Sequence, residues 1–331
     1  LRQAIADASA TCNQITFANG LTGQTIHLAS PLTIAKDVAI NGSGRKLTIS
    51  GDTNSDGSGD VAVFTINAGN VQLANLTIAN GFGADGLGGG VSISPGAHVQ
   101  ITQSTLRDNT SDNGALASGG GGIYNTGVLT LTNSTISGNQ AANIAGLGGG
   151  IHSSFGSVTT IRYSTITGNS APSDGLGGGI NVEGGSVTLI GSIVSGNSAP
   201  TGPEIAVNNG GTLVINGRNV IGANGNAGLD GATPGATDLV PAGAVSTVLN
   251  PTLADNGGDT FTHALVVGGT AYDAIGVNSL GCGVTITVDQ RNITRPSGAG
   301  CDVGAVESTT TIPTPTPTLP TSDATAVAQP G

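Results

Sequence analysis

Between Leu87 and Ser198 one unit recurs four times: a glycine triplet, a short strand, then Ser-x-hydrophobic-x-x-Asn. The copies read LGGGVSI…ITQSTLRDN, GGGGIYN…LTNSTISGN, LGGGIHS…IRYSTITGN and LGGGINV…LIGSIVSGN. Their closing asparagines, Asn109, Asn139, Asn169 and Asn197, fall 30, 30 and 28 residues apart. Self-similarity at such a period marks a repeat architecture, in which one unit cannot bury its apolar face alone and neighbours must stack.

The pattern inside a unit says how they stack. In GVLTLTNSTISGN, Leu129 and Leu131 point one way and Thr130 and Thr132 the other, the alternation of a half-buried strand. A bend at Asn133-Ser134 returns Ile136 inward, and a strand at GGIYN supplies a third side. Three short parallel strands per unit describe one coil of a right-handed parallel β-helix, an all-β solenoid. The expected stacks are Leu131 with Ile101, Ile161 and Leu189, and Ile136 with Leu106, Ile166 and Val194. Asn109, Asn139, Asn169 and Asn197 then form a structural amide ladder at about 4.8 Å spacing. Ser104, Ser134, Ser164 and Ser192 form a second ladder, with no histidine in register to make them nucleophiles. The glycine triplets precede strands and lack a Lys-Ser/Thr ending, so they read as sharp turns with positive φ and not as phosphate loops.

Flanking sequence divides the chain into four regions. Residues 1–20 form an N-terminal cap, opened by a short amphipathic helix with Leu1, Ile5 and Ala8 on one face. Residues 21–222 form the β-helix coils, 223–307 an irregular, loop-rich C-terminal cap, and 308–331 a Thr/Pro-rich linker in extended polyproline II. A helical cap suits a solenoid, whose end coil otherwise exposes unpaired strand edges. The linker is expected to lead to an anchor or further module, and an opening Leu1 in mid-motif suggests a trimmed segment.

Net charge is −11 and the pI near 4.4, which excludes a nucleic-acid partner for want of a basic stripe. No stretch is apolar and long enough for a membrane-spanning helix, so direct membrane insertion is not expected. Cys282 and Cys301 lie 19 apart in the loop-rich region and are expected to form a disulfide, as in a secreted chain. Cys12 is left over, for an intermolecular bond, a free thiol or a partner outside this sequence.

Three segments together resemble the choice-of-anchor Q domain proteins of bacterial surfaces, which carry a CSLRE-type motif and belong to the pectin-lyase-like parallel β-helix superfamily. They are the opening LRQAIADASATCNQITFA, the GGGI…STISGN units, and the closing NGGDTFTHAL, AYDAIG, DQRNITRP and CDVGAVE. The resemblance covers about residues 1–307, with Gln3 and Tyr272 as departures. It implies a right-handed β-helix at the extracellular surface and a cysteine before Leu1 as the partner of Cys12. It carries no catalytic residues.

The strongest chemical motif is GDTNSDGSGD, in which Asp52, Asn54, Asp56, Ser58 and Asp60 take positions 1, 3, 5, 7 and 9 with Gly57 at 6. This spacing wraps oxygen ligands around Ca²⁺, and the absent acid at position 12, where Val63 stands, points to a weak, stabilising site. Enzymatic candidates are sparser. Asp108 and Asp112 beside Arg107 are the only local cluster in the repeats, read as a surface turn. Asp273, Asp289, Arg291, Arg295, Asp302 and Glu307 read as an ion-pair network, and His27, His98, His152 and His263 as positionally unrelated. The expected function is therefore structural or adhesin-like, secreted or at the bacterial cell surface, non-catalytic and calcium-stabilised, with surface glycans or self-association as partners. The competing expectation is a polysaccharide lyase or glycoside hydrolase.

Overall fold

A computed structural model describes residues 1–112, 119–142, 145–172 and 174–309; the linker from 310 onward lies outside the described residues. The chain is an all-β parallel solenoid of about seven turns. Its coils present three faces, each an alternation of buried and outward side chains. The first face runs through Val38–Asn41, Ala97–Thr102, Val128–Thr132, Val158–Arg162 and Ser186–Ile190. The second runs through Leu47–Ser50, Leu76–Ala79, Thr105–Arg107, Thr135–Ser137 and Thr165–Thr167. The third runs through Leu32–Ala35, Val91–Ile93, Ile123–Asn125, Ile151–Ser153, Ile180–Glu183 and Ile205–Asn208. The long strand Phe64–Ala74 belongs to two faces, pairing with the third at its start and the first at its end.

Register follows the apolar pattern. Ile101, Leu131, Ile161 and Leu189 pair in successive coils, as do Leu106, Ile136, Ile166 and Val194, and all are buried. A one-residue slip would turn every one of these side chains outward, which fixes the register wherever a face is packed. The bend between the first and second faces falls on residues of positive φ: Asn75, Gln103, Asn133 and Tyr163. In the triplets, the sharp turn is made by Gly120, Gly148 and Gly177 alone, with φ of 69, 65 and 64°. The last glycine serves a different need: a Cβ on Gly122 would sit 2.7 Å from the Gly150 carbonyl and 3.2 Å from Asn139 Cγ. Coil-to-coil contact leaves no room there for a side chain.

The helix is Arg2–Asp7, with Ile5 buried, Ala8 buried at its C-cap, and Leu1 packed on the core. Solenoid pairing already begins at Gln14–Thr16, which joins the first face within the segment expected to be cap. The loop-rich C-terminal region has two parts. Leu229–Asp230 and Leu239 extend the coil pairing past Ile221 and cover that end. Residues 244–309 then turn back and lie along the second face. Val245 abuts Gly196, Gln290 reaches Thr105 and Thr135, Asp259 accepts from the Gly44 amide, and Asp255 pairs with Lys46. The outward Thr105, Thr135 and Thr165 of that face are consequently buried.

Candidate functional site

The amide ladder has the geometry its spacing demands. Asn109 Nδ2 donates to Asn139 Oδ1 at 2.8 Å, Asn139 to Asn169 at 2.9 Å, and Asn169 to Asn197 at 2.9 Å. Each Nδ2 also donates to a carbonyl of the preceding coil, such as Leu106 O and Ile136 O. The ladder ends on Glu204, whose carboxylate accepts from Asn197 Nδ2 at 2.6 Å and from the Gly196 amide at 2.8 Å. Burial pushes the Glu204 carboxyl above its ordinary range, against the opposing pull of those donors. The serine ladder ends alike: Ser192 N donates to Asn219 Oδ1, and Asn219 N and Nδ2 donate to Asp238 Oδ1. Both terminators escape a reading by period because they stand outside it.

In the calcium-like loop, Asp52 is buried and its Oδ1 accepts from the amides of Asn54, Ser55 and Asp56, its Oδ2 from Gly57. Burial alone would raise that carboxyl, but the four amides outweigh it and hold it below its ordinary range. Asn54 Oδ1 accepts from Asp56 N and Asp56 Oδ1 from Ser58 N, while Asp60 takes both the amide and hydroxyl of Thr53. Gly57, at position 6, has φ 90°, the turn the motif requires. Among the described residues, no group of three or more His, Cys, Asp or Glu is placed to share a metal ion.

Cys282 and Cys301 form the expected disulfide, and Cys12 is an exposed thiol. The C-terminal charges form a buried network: Arg291 pairs with Asp289 at 2.8 Å and Arg295 with Glu307 at 2.7 Å, while Asp302 accepts from the Asp273 amide. Arg295 also lies over the Tyr163 ring at 4.8 Å, and burial pushes the Tyr163 phenol up to about 12. Arg107 pairs with Asp108 at 2.6 Å at the surface and stacks on Phe261, so this pair helps seat the C-terminal segment.

The four histidines do occupy unrelated positions, His27 on the second face, His98 on the first, His152 on the third and His263 in the C-terminal segment, but His152 belongs to a constellation of its own. On the third face, the residue two places after each triplet points outward, so Ser92, Tyr124, His152 and Asn181 form one column. His152 Nε2 lies 3.1 Å from Glu183 Oε2, and Tyr124 meets the imidazole edge-on at 5.2 Å. The His152 hydrogen bond, first of all, holds the Glu183 carboxyl below its ordinary range despite partial burial, with Asn209 Nδ2 bonding its other oxygen. These groups line a pocket of about 230 Å³ with Asp85, Leu87 and Leu147. The signal lay in the repeat all along: GGVS, GGIY, GGIH and GGIN place these four residues at one position.

Fold and sites together define the class: a parallel β-solenoid with capped side-chain ladders and a covalently closed C-terminal segment docked on one face. No known family model, curated protein or solved structure matches the chain. Among the described residues, no helix is long and apolar enough to cross a membrane.

Proposed function

We propose that this chain is a secreted, surface-displayed solenoid with a structural and adhesive role, of the choice-of-anchor Q kind that its motifs resemble. The observation that carries the reading is the first face. The second face lies under the C-terminal segment and the third is flanked by the glycine-rich loops, but the first stays open over successive coils. Its outward rows run His98, Val128, Val158, Ser186, Thr212 and Gln100, Thr130, Thr160, Thr188, Val214, in register. A rigid, flat array of hydroxyls and small apolar groups loses little conformational entropy on contact, which favours adhesion to extended surfaces. The disulfide suits an oxidising compartment.

Calcium at Asp52, Asn54, Asp56, Ser58 and Asp60 is part of the same proposal, as an ion stiffening a loop already shaped by its own amides. Calorimetry tests it: no heat and no change in Tm at millimolar Ca²⁺ removes the ion from the reading. For adhesion, labelled protein is applied to bacterial cells and extracellular polysaccharide. Thr160→Arg with Thr188→Arg should abolish retention without lowering Tm. Retention unaffected by both substitutions rules out the first face as the contact surface.

A further inference from the structure

The pocket at Tyr124 and His152 adjoins a second, of about 310 Å³, with which it shares Asp85 and Leu87. The floor of the pair is one column of the third face, Thr65, Ser92, Tyr124 and His152. Four coils at about 4.8 Å spacing give a floor about 14 Å long. The walls offer apolar surface at Val61, Phe82, Leu87 and Leu147. They also offer carboxylates at Asp60, Asp85 and Glu183, and the described lining includes no Lys or Arg.

We propose that this groove binds a linear oligosaccharide bearing no negative charge. The inference rests on the reading of the chain as a surface protein, and it adds a specific site on a different face. Three properties select the ligand. The groove is elongated along the solenoid axis, which suits a chain. Aromatic and aliphatic walls beside hydrogen-bonding groups match the mixed apolar and hydroxyl faces of a sugar ring. The Asp85 and Glu183 carboxylates, with no Lys or Arg in the described lining, accept hydrogen bonds from hydroxyls and repel uronates. Glu183 is the group we assign to a sugar hydroxyl, and His152 is its positioning residue: nearly fully buried, it bonds one carboxylate oxygen while Asn209 bonds the other. Among the described residues His152 Nδ1 has no hydrogen-bond partner and lies against Gly119 in the pocket wall.

The test is calorimetric titration of the whole chain with neutral gluco-, manno- and N-acetylated chito-oligosaccharides, with deacetylated chito-oligosaccharides as a cationic arm, and with oligogalacturonate. Binding of at least one neutral or cationic series, with oligogalacturonate silent, is expected; the stronger arm distinguishes hydroxyl from amino-sugar recognition. Tyr124→Ala should weaken binding at least about tenfold. Asp85→Lys, at an exposed position that leaves the fold intact, should weaken the cationic arm most. Oligogalacturonate binding as well as the neutral series, or no binding by any neutral or cationic arm, overturns the proposal. Binding that neither variant alters overturns the groove and leaves surface adhesion standing. Ligand recovered intact by mass spectrometry is expected; cleavage in the groove would instead overturn the non-catalytic reading.

Discussion

An asparagine in the ladder both donates and accepts, so the row needs a final partner that accepts without donating. Glu204 meets that need. It takes the Asn197 amide, the Asn197 Nδ2 and the Gly196 amide, none of which has another side-chain acceptor there. Glu204→Gln swaps one carboxylate oxygen for an NH₂ that must face an N–H, and a buried unsatisfied donor costs about 1–3 kcal/mol. The expected outcome is a lower denaturation midpoint with faster hydrogen exchange at Gly196 and Asn197. Asn169→Asp should cost more, because its Nδ2 serves Ile136 O, Thr167 O and Asn197 Oδ1 at once, all of which would then face an acceptor. Unchanged stability in Glu204→Gln would remove the terminator role. The ladder itself was legible, since four asparagines that share one position in the repeat must stack once the coils do. Its terminators were not: Glu204 stands seven residues beyond Asn197 and reaches it only because the next coil folds back. Tyr124 and His152 were hidden for a different reason, because residue type varies along their column while position does not.

At the scale of the element, the segment from 244 to 309 has no periodicity, so its sequence predicts loops and charges without saying where they lie. Its partners are remote: Gln290 bonds Thr105 at a separation of 185 residues and Ala305 bonds Thr165 at 140. What holds it together was readable as an ion-pair network, and its titration is a direct probe. Burial pushes Glu307 from an ordinary 4.5 to about 7, although Arg295 and the amides of Ser297 and Asp302 pull the other way. A carboxyl raised on folding binds its proton more tightly in the native state than in the unfolded chain. Its contribution is therefore complete below pH 4.5, declines as pH rises from there to about 7, and is level above. At 1.36 kcal/mol per unit the decline is about 3 kcal/mol. Unfolding free energies of the wild type and Glu307→Gln, measured across this window, should diverge by roughly that amount. A difference constant with pH would show that Arg295 keeps Glu307 ionised throughout.

The whole molecule departs from a simple stack of coils. In a solenoid each coil touches only its neighbours, so stability is close to a sum of nearest-neighbour terms and the ends open first. Here the C-terminal segment crosses many coils, from Lys46 and Gly44 through Thr105 and Thr135 to Thr165, Gly191 and Gly196. It couples coils that share no direct contact and should make the molecule open as one unit. Gln290 is the centre of that coupling, buried, with Nε2 donating to Ser104 O, Thr105 Oγ1, Thr260 Oγ1 and Phe261 O, and Oε1 accepting from Thr135 Oγ1. In the wild type, amides of the segment, such as Val303 and Gly304, and of the core, such as Ile101, Leu131 and Ile161, should share one global opening energy. Gln290→Ala should split them: the segment's amides exchange faster as a group while the core amides keep their protection. The split is expected because ladders and apolar stacks hold the core without the segment, whereas the segment's own apolar cluster needs Tyr163, Ile193 and Val220 of the solenoid. Equal acceleration of both groups would mean that the solenoid depends on its cover, and that the open first face belongs to a structure which cannot stand without the covered one.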